Sequence, residues 1–474
     1  MKVTGIGAKH SQPVQMTVWD YLQKDTAEQE SYAEECEPGK MTETESTNTN
    51  QRQGGLLEQI TSPENLKRAC KQVKRNKGSS GIDGMAVEEL PTWLETHEEE
   101  LRKSLQEGEY RPQAVRRVEI PKENGKRRKL GIPTVVDRLV HQAINQVLTP
   151  LYEAQFSDKS YGFRPKRGAH DALKESQKNV TDGYKYVVDM DLEKYFDTVN
   201  QSKLIQVLSE TIKDGRVISL IHKILRSGVL ASGLFEASEE GVPQGSPLSP
   251  LLGNIMLNEC DKELERRGHR FVRYADDMMI FCKSRKAAIR TLDKIVPYIE
   301  ERLFLRINRE KTKVAHVKDV KFLGYGFYIM RGTCLLRVPP ESKKKLKDKL
   351  RKVTGRSNGM SVADRKEKLN QIVRGWVNYF CLAEMTRMLG EVDGWLRRRL
   401  RMVTWKRWKR VRTRFTNLQK AGIDKRKAWE WANTRLGYWR IAGSWILTRS
   451  IPDALLKKAG YLTLSGCYQA KRNV

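Results

Sequence analysis

The sequence predicts an α/β unit, then a helical region, then a small basic helical tail. Three observations carry this. From about residue 56 to about 327, strand-like and helix-like stretches alternate without internal repeats. Val338-Pro339-Pro340 then interrupts the chain. Beyond it, Met385, Met388, Leu389, Val392, Trp395, Leu396 and Val403 recur at helical spacing, with basic residues on the other faces. The expected boundaries are 1–55 for a polar extension, 56–335 for the α/β unit, 336–412 for the helical region and 413–474 for the basic tail.

Residues 1–55 are rich in Thr, Glu, Gln and Asn and lack a periodic apolar face after Leu22, which predicts disorder. Helical patterning begins at Leu56-Leu57-Ile60, and Ser62-Pro63-Glu64 reads as a helix start. Residues 186–199, Tyr-Val-Val-Asp-Met-Asp-Leu-Glu-Lys-Tyr-Phe-Asp-Thr-Val, open on a short β-branched run that delivers Asp189 and Asp191 at its C-terminal end. Asp189 reads as an ordinary strand-end residue. Residues 271–280, Phe-Val-Arg-Tyr-Ala-Asp-Asp-Met-Met-Ile, are an apolar strand-like run interrupted by Asp276 and Asp277.

Burying two neighbouring anions is costly unless a cation takes up their charge. A tight hairpin offering both carboxylates to Mg²⁺ answers that cost. Carboxylates from a second strand would complete a site for two metal ions roughly 3.5–4 Å apart, an arrangement suited to phosphoryl transfer. Mg²⁺ takes oxygen ligands and keeps room for substrate phosphates.

The chain has 474 residues, 39% hydrophobic and 31% charged, with a formal net charge of +30. From residue 341 onward there are 34 Lys and Arg against 10 Asp and Glu, an excess of 24. Residues 1–55 carry 5 basic and 9 acidic side chains. So concentrated an excess repels itself without a polyanion and predicts salt-sensitive nucleic-acid binding. Eight of the ten tryptophans lie after residue 370, among these cations. As a cluster they read as a surface for bases or ribose, whereas any single Trp reads more simply as core. Seven scattered cysteines without a Cys-x-x-Cys pair give neither a zinc site nor a disulfide framework and fit a reducing cytoplasm. No apolar run approaches the ~18 residues of a membrane span, and the N-terminus lacks a signal-peptide pattern.

The blocks in order resemble the reverse-transcriptase family. They are Gly81-Ile82-Asp83-Gly84; Ile120-Pro121-Lys122; Arg128-Lys129-Leu130-Gly131-Ile132-Pro133-Thr134; and Ser160-Tyr161-Gly162-Phe163-Arg164-Pro165. The Asp191 segment follows, then Gly241-Val242-Pro243-Gln244-Gly245-Ser246-Pro247-Leu248-Ser249-Pro250, Tyr274-Ala275-Asp276-Asp277, Asn308 with Lys311-Thr312, and Phe322-Leu323-Gly324. Arg374-Gly375-Trp376-Val377-Asn378-Tyr379-Phe380 resembles the maturase signature of group II intron-encoded proteins, and the last hundred residues look most like bacterial class C members.

The resemblance implies a right-hand polymerase, with fingers and palm over 56–335, a helical thumb or maturase domain over 336–412 and a DNA-binding domain over 413–474. It implies catalysis by Asp191, Asp276 and Asp277, which with the Leu192 carbonyl would hold two Mg²⁺ ions. Lys122, Arg128, Phe196, Gln244, Gly245 and Lys311 would contact the incoming dNTP. Phe196, five residues after Asp191, aligns with a steric gate; its ordinary role would be core packing. Lys122 and Arg128 flank a hairpin tip that would close on the triphosphate. Gly245 would let backbone approach the nascent base pair. Lys311 reads as a proton donor to pyrophosphate or as a structural ion pair. Ser246 stands where many group II proteins carry Gly.

Arg164, Arg374, Trp376, Lys406, Arg407, Lys409, Arg410, Arg412 and Arg414 are the expected nucleic-acid contacts, Arg164 with a palm-stabilising alternative. The expected partners are group II intron RNA, target DNA, a primer and dNTPs, in a bacterial cytoplasm with no membrane. The basic tail is followed by no Cys/His-rich nuclease block, which implies insertion at DNA already opened.

The leading reading is an intron reverse transcriptase and maturase. A domesticated reverse transcriptase of repair or phage defence would have no need of the 374–380 segment. A splicing factor with a dead polymerase would have no need of the three carboxylates.

Overall fold

The computed structural model describes residues 55–121, 127–231 and 234–473. The expected disordered extension therefore lies outside the described residues, apart from Gly55. The chain divides into two compact units, one ending at His316 and one beginning at Val317.

The first unit opens on helices Leu56–Ile60 and Pro63–Asn76. Ser62 caps the second as its spacing predicts: its side chain accepts from the Asn65 N–H, and Pro63 takes the first helical position. A sheet is then built from β1 (Val115–Pro121), β2 (Arg127–Ile132), β4 (Val229–Ala231) and β5 (Leu234–Glu236). Its order is β2-β1-β4-β5. Strands β1 and β2 form an antiparallel hairpin that pairs Pro121 with Arg127, and β4 joins β1 in parallel.

The second sheet is built from β3 (Tyr186–Met190), β6 (Arg270–Tyr274), β7 (Asp277–Cys282) and β8 (Lys313–His316). Its order is β6-β7-β3-β8, antiparallel throughout. Helix Arg285–Pro297 packs on β3, β7 and β8, while Ala169–Thr181 and Ser249–Arg266 pack on β6. Covered in this way, β7 buries every residue after Asp277. That is why its sequence is an unbroken apolar run without alternation.

The second unit begins with a small sheet of Lys321–Phe322 (β9), Tyr325–Met330 (β10) and Thr333–Arg337 (β11), with β10 in the centre. Pro340 then starts the first of a series of helices. Helix Thr386–Arg407 buries Leu389, Val392, Leu396 and Val403 of the stripe read in the sequence, and Leu400 besides, while Met388 and Trp395 of that stripe are only partly buried. Among the described residues, no helix is long and apolar enough to cross a membrane.

Candidate active site

Strand register brings the carboxylates together. Strands β3 and β7 pair Asp189 with Met279 and Met190 with Met278, so one further step sets Asp191 opposite Asp277. Tyr274 pairs with Asp277, which leaves Ala275-Asp276 as a two-residue hairpin loop. Ala275 has φ 56°, a left-handed conformation that favours glycine.

The strain at Ala275 is held from beneath. A Cβ at Gly162 would lie 2.3 Å from the Ala275 nitrogen, so only glycine lets this segment lie against the loop. Arg273 donates to the Ala275 carbonyl at 3.1 Å and to Asn254 Oδ1 at 2.9 Å, and Asn254 donates to the Gly162 carbonyl at 2.8 Å. Asp261 fixes Arg273 from helix Ser249–Arg266, and both side chains are fully buried. Arg273, Asn254, Asp261 and Gly162 hold this loop, a role the sequence reading gave to none of them. One signal was present: an arginine inside an apolar strand must find a buried partner.

Asp191 is anchored through its backbone. Its N–H donates to Thr312 Oγ1 at 3.2 Å, and its carbonyl accepts from the Asn308 N–H at 2.9 Å. Glu193 N–H donates to the Arg306 carbonyl, which makes Leu192 and Ile307 a non-hydrogen-bonded antiparallel pair. In such a pair the N–H and C=O point away from the partner strand. The Leu192 carbonyl is thus turned away from 306–308, as a metal ligand there would require.

The electrostatics are those of crowded carboxylates. Desolvation by the surrounding protein, with the like charges of Asp276, Asp191 and Asp189, pushes the Asp277 acid up to about 7. The residue is nevertheless open to water on one side. Water there weakens both effects without reversing them. Burial also raises Asp189, against the pull of Lys313 Nζ at 3.8 Å. Lys311 Nζ lies 2.9 and 3.1 Å from the two Asp191 oxygens.

The chemistry of the donors fits hard divalent cations: hydroxyl-free carboxylates, a directed carbonyl and mutual repulsion that a cation would relieve. They are not drawn into a closed cage. Among the described residues, no group of three or more His, Cys, Asp or Glu side chains converges as a metal cluster.

Beside the carboxylates, Phe196 is half-buried and meets Tyr195 edge-on, with centroids 5.1 Å apart. Gly253 backs its ring: a Cβ there would come within 3.1 Å. The Phe196 carbonyl accepts from Val242 N–H at 2.6 Å. Gln244 donates its side-chain amide to Asp197 at 2.8 Å, and its carbonyl accepts from Gly131 N–H at 2.8 Å. Gly245 has φ 111°, and a Cβ there would lie 2.5 Å from the Gly131 carbonyl oxygen. The Pro-Gln-Gly segment is thus clamped between β2 and the short helix Tyr195–Thr198. Ser246 Oγ lies 2.8 Å from Nδ1 of buried His141, which gives the hydroxyl a structural use.

Other expected contacts fall elsewhere. Lys122 lies outside the described residues; of Arg128 only the backbone is described, paired with Ile120 in the hairpin. Arg164 is corrected to its palm-stabilising alternative. It is 4% exposed, and its guanidinium is taken up by the Glu153 carboxylate and the Ser157 and Ser160 carbonyls. Trp376 is also corrected. It is buried against Phe380, with centroids 4.7 Å apart, and offers no face to a nucleic acid. Arg374, Arg407, Lys409, Arg410 and Arg412 are exposed. Lys406 donates to the Arg356 carbonyl at 2.8 Å, and Arg414 lies over the Trp405 ring at 4.8 Å and donates to the Trp408 carbonyl.

An antiparallel sheet presenting carboxylates from β3 and the β6–β7 hairpin, next to a half-buried aromatic and a glycine clamp, defines a polymerase-type palm. Comparison with known proteins agrees. The family described as reverse transcriptase (RNA-dependent DNA polymerase) matches residues 120–327, and the group II intron maturase-specific domain matches 343–422. Protein YkfC of Escherichia coli (strain K12) is 36% identical over 57% of this chain and 82% of its own length. The group II intron-encoded protein LtrA of Lactococcus lactis subsp. cremoris is 30% identical over 59% of this chain and 57% of its own length. A solved partial Cas6-RT-Cas1–Cas2 complex aligns with TM-score 0.34 at 26% identity, over 52% of this chain and 42% of that one. The chain belongs to the group II intron-encoded reverse transcriptase and maturase family.

Proposed function

We propose that this chain is an RNA-directed DNA polymerase and intron maturase. It binds group II intron RNA, assists its splicing and copies it into DNA from a primer at the target site. The observation that carries the reading is the β3–β7 register: it ends at the Met190–Met278 pair, with Asp191 and Asp277 as the next residues on the two segments and Asp276 in the adjoining loop.

In the reaction, a primer 3′-hydroxyl attacks the α-phosphorus of a dNTP, and pyrophosphate leaves. Asp191, Asp276, Asp277 and the Leu192 carbonyl are the groups that would hold divalent metal; Mg²⁺ bound there would activate the hydroxyl and stabilise the leaving pyrophosphate. The protein's own part is positioning. The Arg273 network fixes the loop that carries Asp276. Gly245 permits close approach of backbone to the base pair, and Gln244 is held by Asp197. Phe196, seated on Gly253, is the gate beneath the sugar; replacing it with Ala should raise ribonucleotide incorporation, and an unchanged ratio would return it to packing. Lys311 is the cation beside the site. Lys122 and Arg128 are the proposed cationic contacts to the triphosphate. The first unit supplies chemistry, while the helices from Pro340 onward hold RNA and, in the basic tail, DNA.

The test is primer extension on an annealed RNA template by Asp276→Asn with Asp277→Asn. Loss of Mg²⁺-dependent synthesis with RNA binding retained is expected. Substantial residual synthesis would refute the assignment.

A further inference from the structure

The second unit contains an open cavity of about 690 Å³ lined by Arg351, Arg356, Arg399, Tyr438, Trp439 and Arg440, with Met402 also in its wall. The volume lies within the usual range for small-ligand pockets, about 300–1,000 Å³. Four of its side chains are arginines, and among the described residues Arg356, Arg399 and Arg440 form no ion pair with a carboxylate; Arg351 is paired with Asp348. Arg399 is fixed by Thr354, donating to its hydroxyl at 2.6 Å and its carbonyl at 3.1 Å. Burial, then the like charges of Arg351 and Arg356, hold its guanidinium below the ordinary value. Among the described residues, three of these four cations lack an anionic partner.

The aromatic side is equally ordered. Arg398 covers one face of the Trp439 indole at 4.2 Å and donates to the Trp439 carbonyl at 2.8 Å. Gly443 makes room for that guanidinium, because a Cβ there would lie 2.7 Å from it. Trp439 still remains 39% exposed, so its ring is oriented but not enclosed. Arg356 lies over Tyr438 at 5.3 Å. A rigid indole beside guanidinium groups without carboxylate partners matches an unstacked base with its phosphate, the mode by which proteins take splayed nucleotides of RNA loops. An acidic peptide would use the arginines and leave the indole idle.

We propose that this cavity binds one unpaired nucleotide of single-stranded RNA, its base stacked on Trp439 and its phosphate held by Arg356 and Arg440. The inference rests on the reading of this unit as nucleic-acid-binding, and departs from it in giving residues 437–440 of the basic tail to RNA rather than DNA. Residues 437–440 lie outside the segment matched by the maturase-specific domain, so half of the cavity is built by chain beyond it.

The experiment uses the full chain and a single-stranded RNA octamer carrying one 2-aminopurine, without primer or dNTPs. Wild type should quench the probe. Trp439→Leu should abolish quenching and weaken binding roughly 5- to 150-fold, the range for removing one base–aromatic stack, without changing the salt slope. Trp439→Phe should keep most of both, which controls for folding. Arg356→Gln with Arg440→Gln should flatten the salt slope by roughly 0.7 for each phosphate released. Unchanged affinity and quenching in Trp439→Leu would overturn the proposal and leave a merely cationic surface. Equal affinity and quenching with the DNA octamer of the same sequence would overturn RNA as the ligand. Because the assay contains no synthesis, failure of the polymerase reading would appear only in primer extension by the Asp276 and Asp277 variants.

Discussion

Arg273 and Asp261 form an ion pair at 2.5 Å with neither side chain accessible to solvent, and the same guanidinium holds the Ala275 carbonyl at 3.1 Å. A buried charge pair is poor evidence for stability, because desolvating both ions offsets much of their attraction. Its value here is positional. It ties helix Ser249–Arg266 to the loop that presents Asp276.

Two variants separate the roles. Arg273→Met strands Asp261 in the core and should cost about 3–5 kcal/mol in urea unfolding. Arg273→Met with Asp261→Leu should recover most of that stability while primer extension stays low, because Ala275 and Asn254 still lack their donor. A double variant that polymerises like wild type would reduce the pair to packing.

Asp277 gives a pH dependence whose sign can be worked out. Burial and like charge raise its folded acid from the usual 3.8 to about 7. The folded chain therefore keeps a proton that the unfolded chain has lost, and without metal its stability falls as pH rises from about 4 through about 7. Solvent access at this residue reduces the effect to the order of 1 kcal/mol. The melting temperature should thus rise more on adding Mg²⁺ at pH 8 than at pH 5, and Asp277→Asn should remove the difference. An equal gain at both pH values would dissociate metal binding from this carboxylate.

The proposed set of carboxylates was legible in the sequence because charged groups are conspicuous at the ends of apolar runs. The cap at Ser62 was legible because its chemistry is local. What the sequence hid was pairing across distance. Arg164 sits in a Gly-Phe-Arg-Pro loop that left a nucleic-acid contact and a palm-stabilising one both open, and Glu153 lies behind it at 2.7 Å. Trp376 stands one residue after Gly375 in a basic signature, yet the helical period turns it inward with Val373, Val377 and Phe380. Arg273 is the same lesson reversed: its partner is twelve residues back on another element, and no periodicity names it.

Ser246 is the departure from the family pattern that the structure explains. His141 is fully buried, and desolvation, followed by the charge of Arg138, lowers its pKa to about 3. A folded value below the ordinary 6.5 means that this neutral ring stabilises the fold above about pH 6.5 and that the contribution is lost as pH falls toward 3, by up to ~1.4 kcal/mol per pH unit. Ser246→Gly deletes the hydroxyl at His141 Nδ1 and should cost about 1–3 kcal/mol at neutral pH. Paired with a His141→Leu background, the same change should cost far less. Additive costs would show that the two side chains do not depend on one another.

The basic stretch after the long helix divides by what its side chains already do. Arg407, Lys409, Arg410 and Arg412 are exposed, whereas Lys406 is bonded to the Arg356 carbonyl and Arg414 lies on Trp405. Neutralising the four exposed cations with Gln should therefore flatten the salt dependence of nucleic-acid binding, by roughly 0.7–0.9 log units per log salt for each phosphate released. Lys406→Gln with Arg414→Gln should leave that slope nearly unchanged and lower the melting temperature instead, because it removes packing and hydrogen bonds inside the helical unit. Primer extension on a preannealed template should be less affected than binding of target DNA by the four-residue variant. Equal salt slopes for wild type and the four-residue variant would make this stretch a solvated face, and a large slope change in the Lys406 and Arg414 variant would mean that both leave their internal partners when nucleic acid binds.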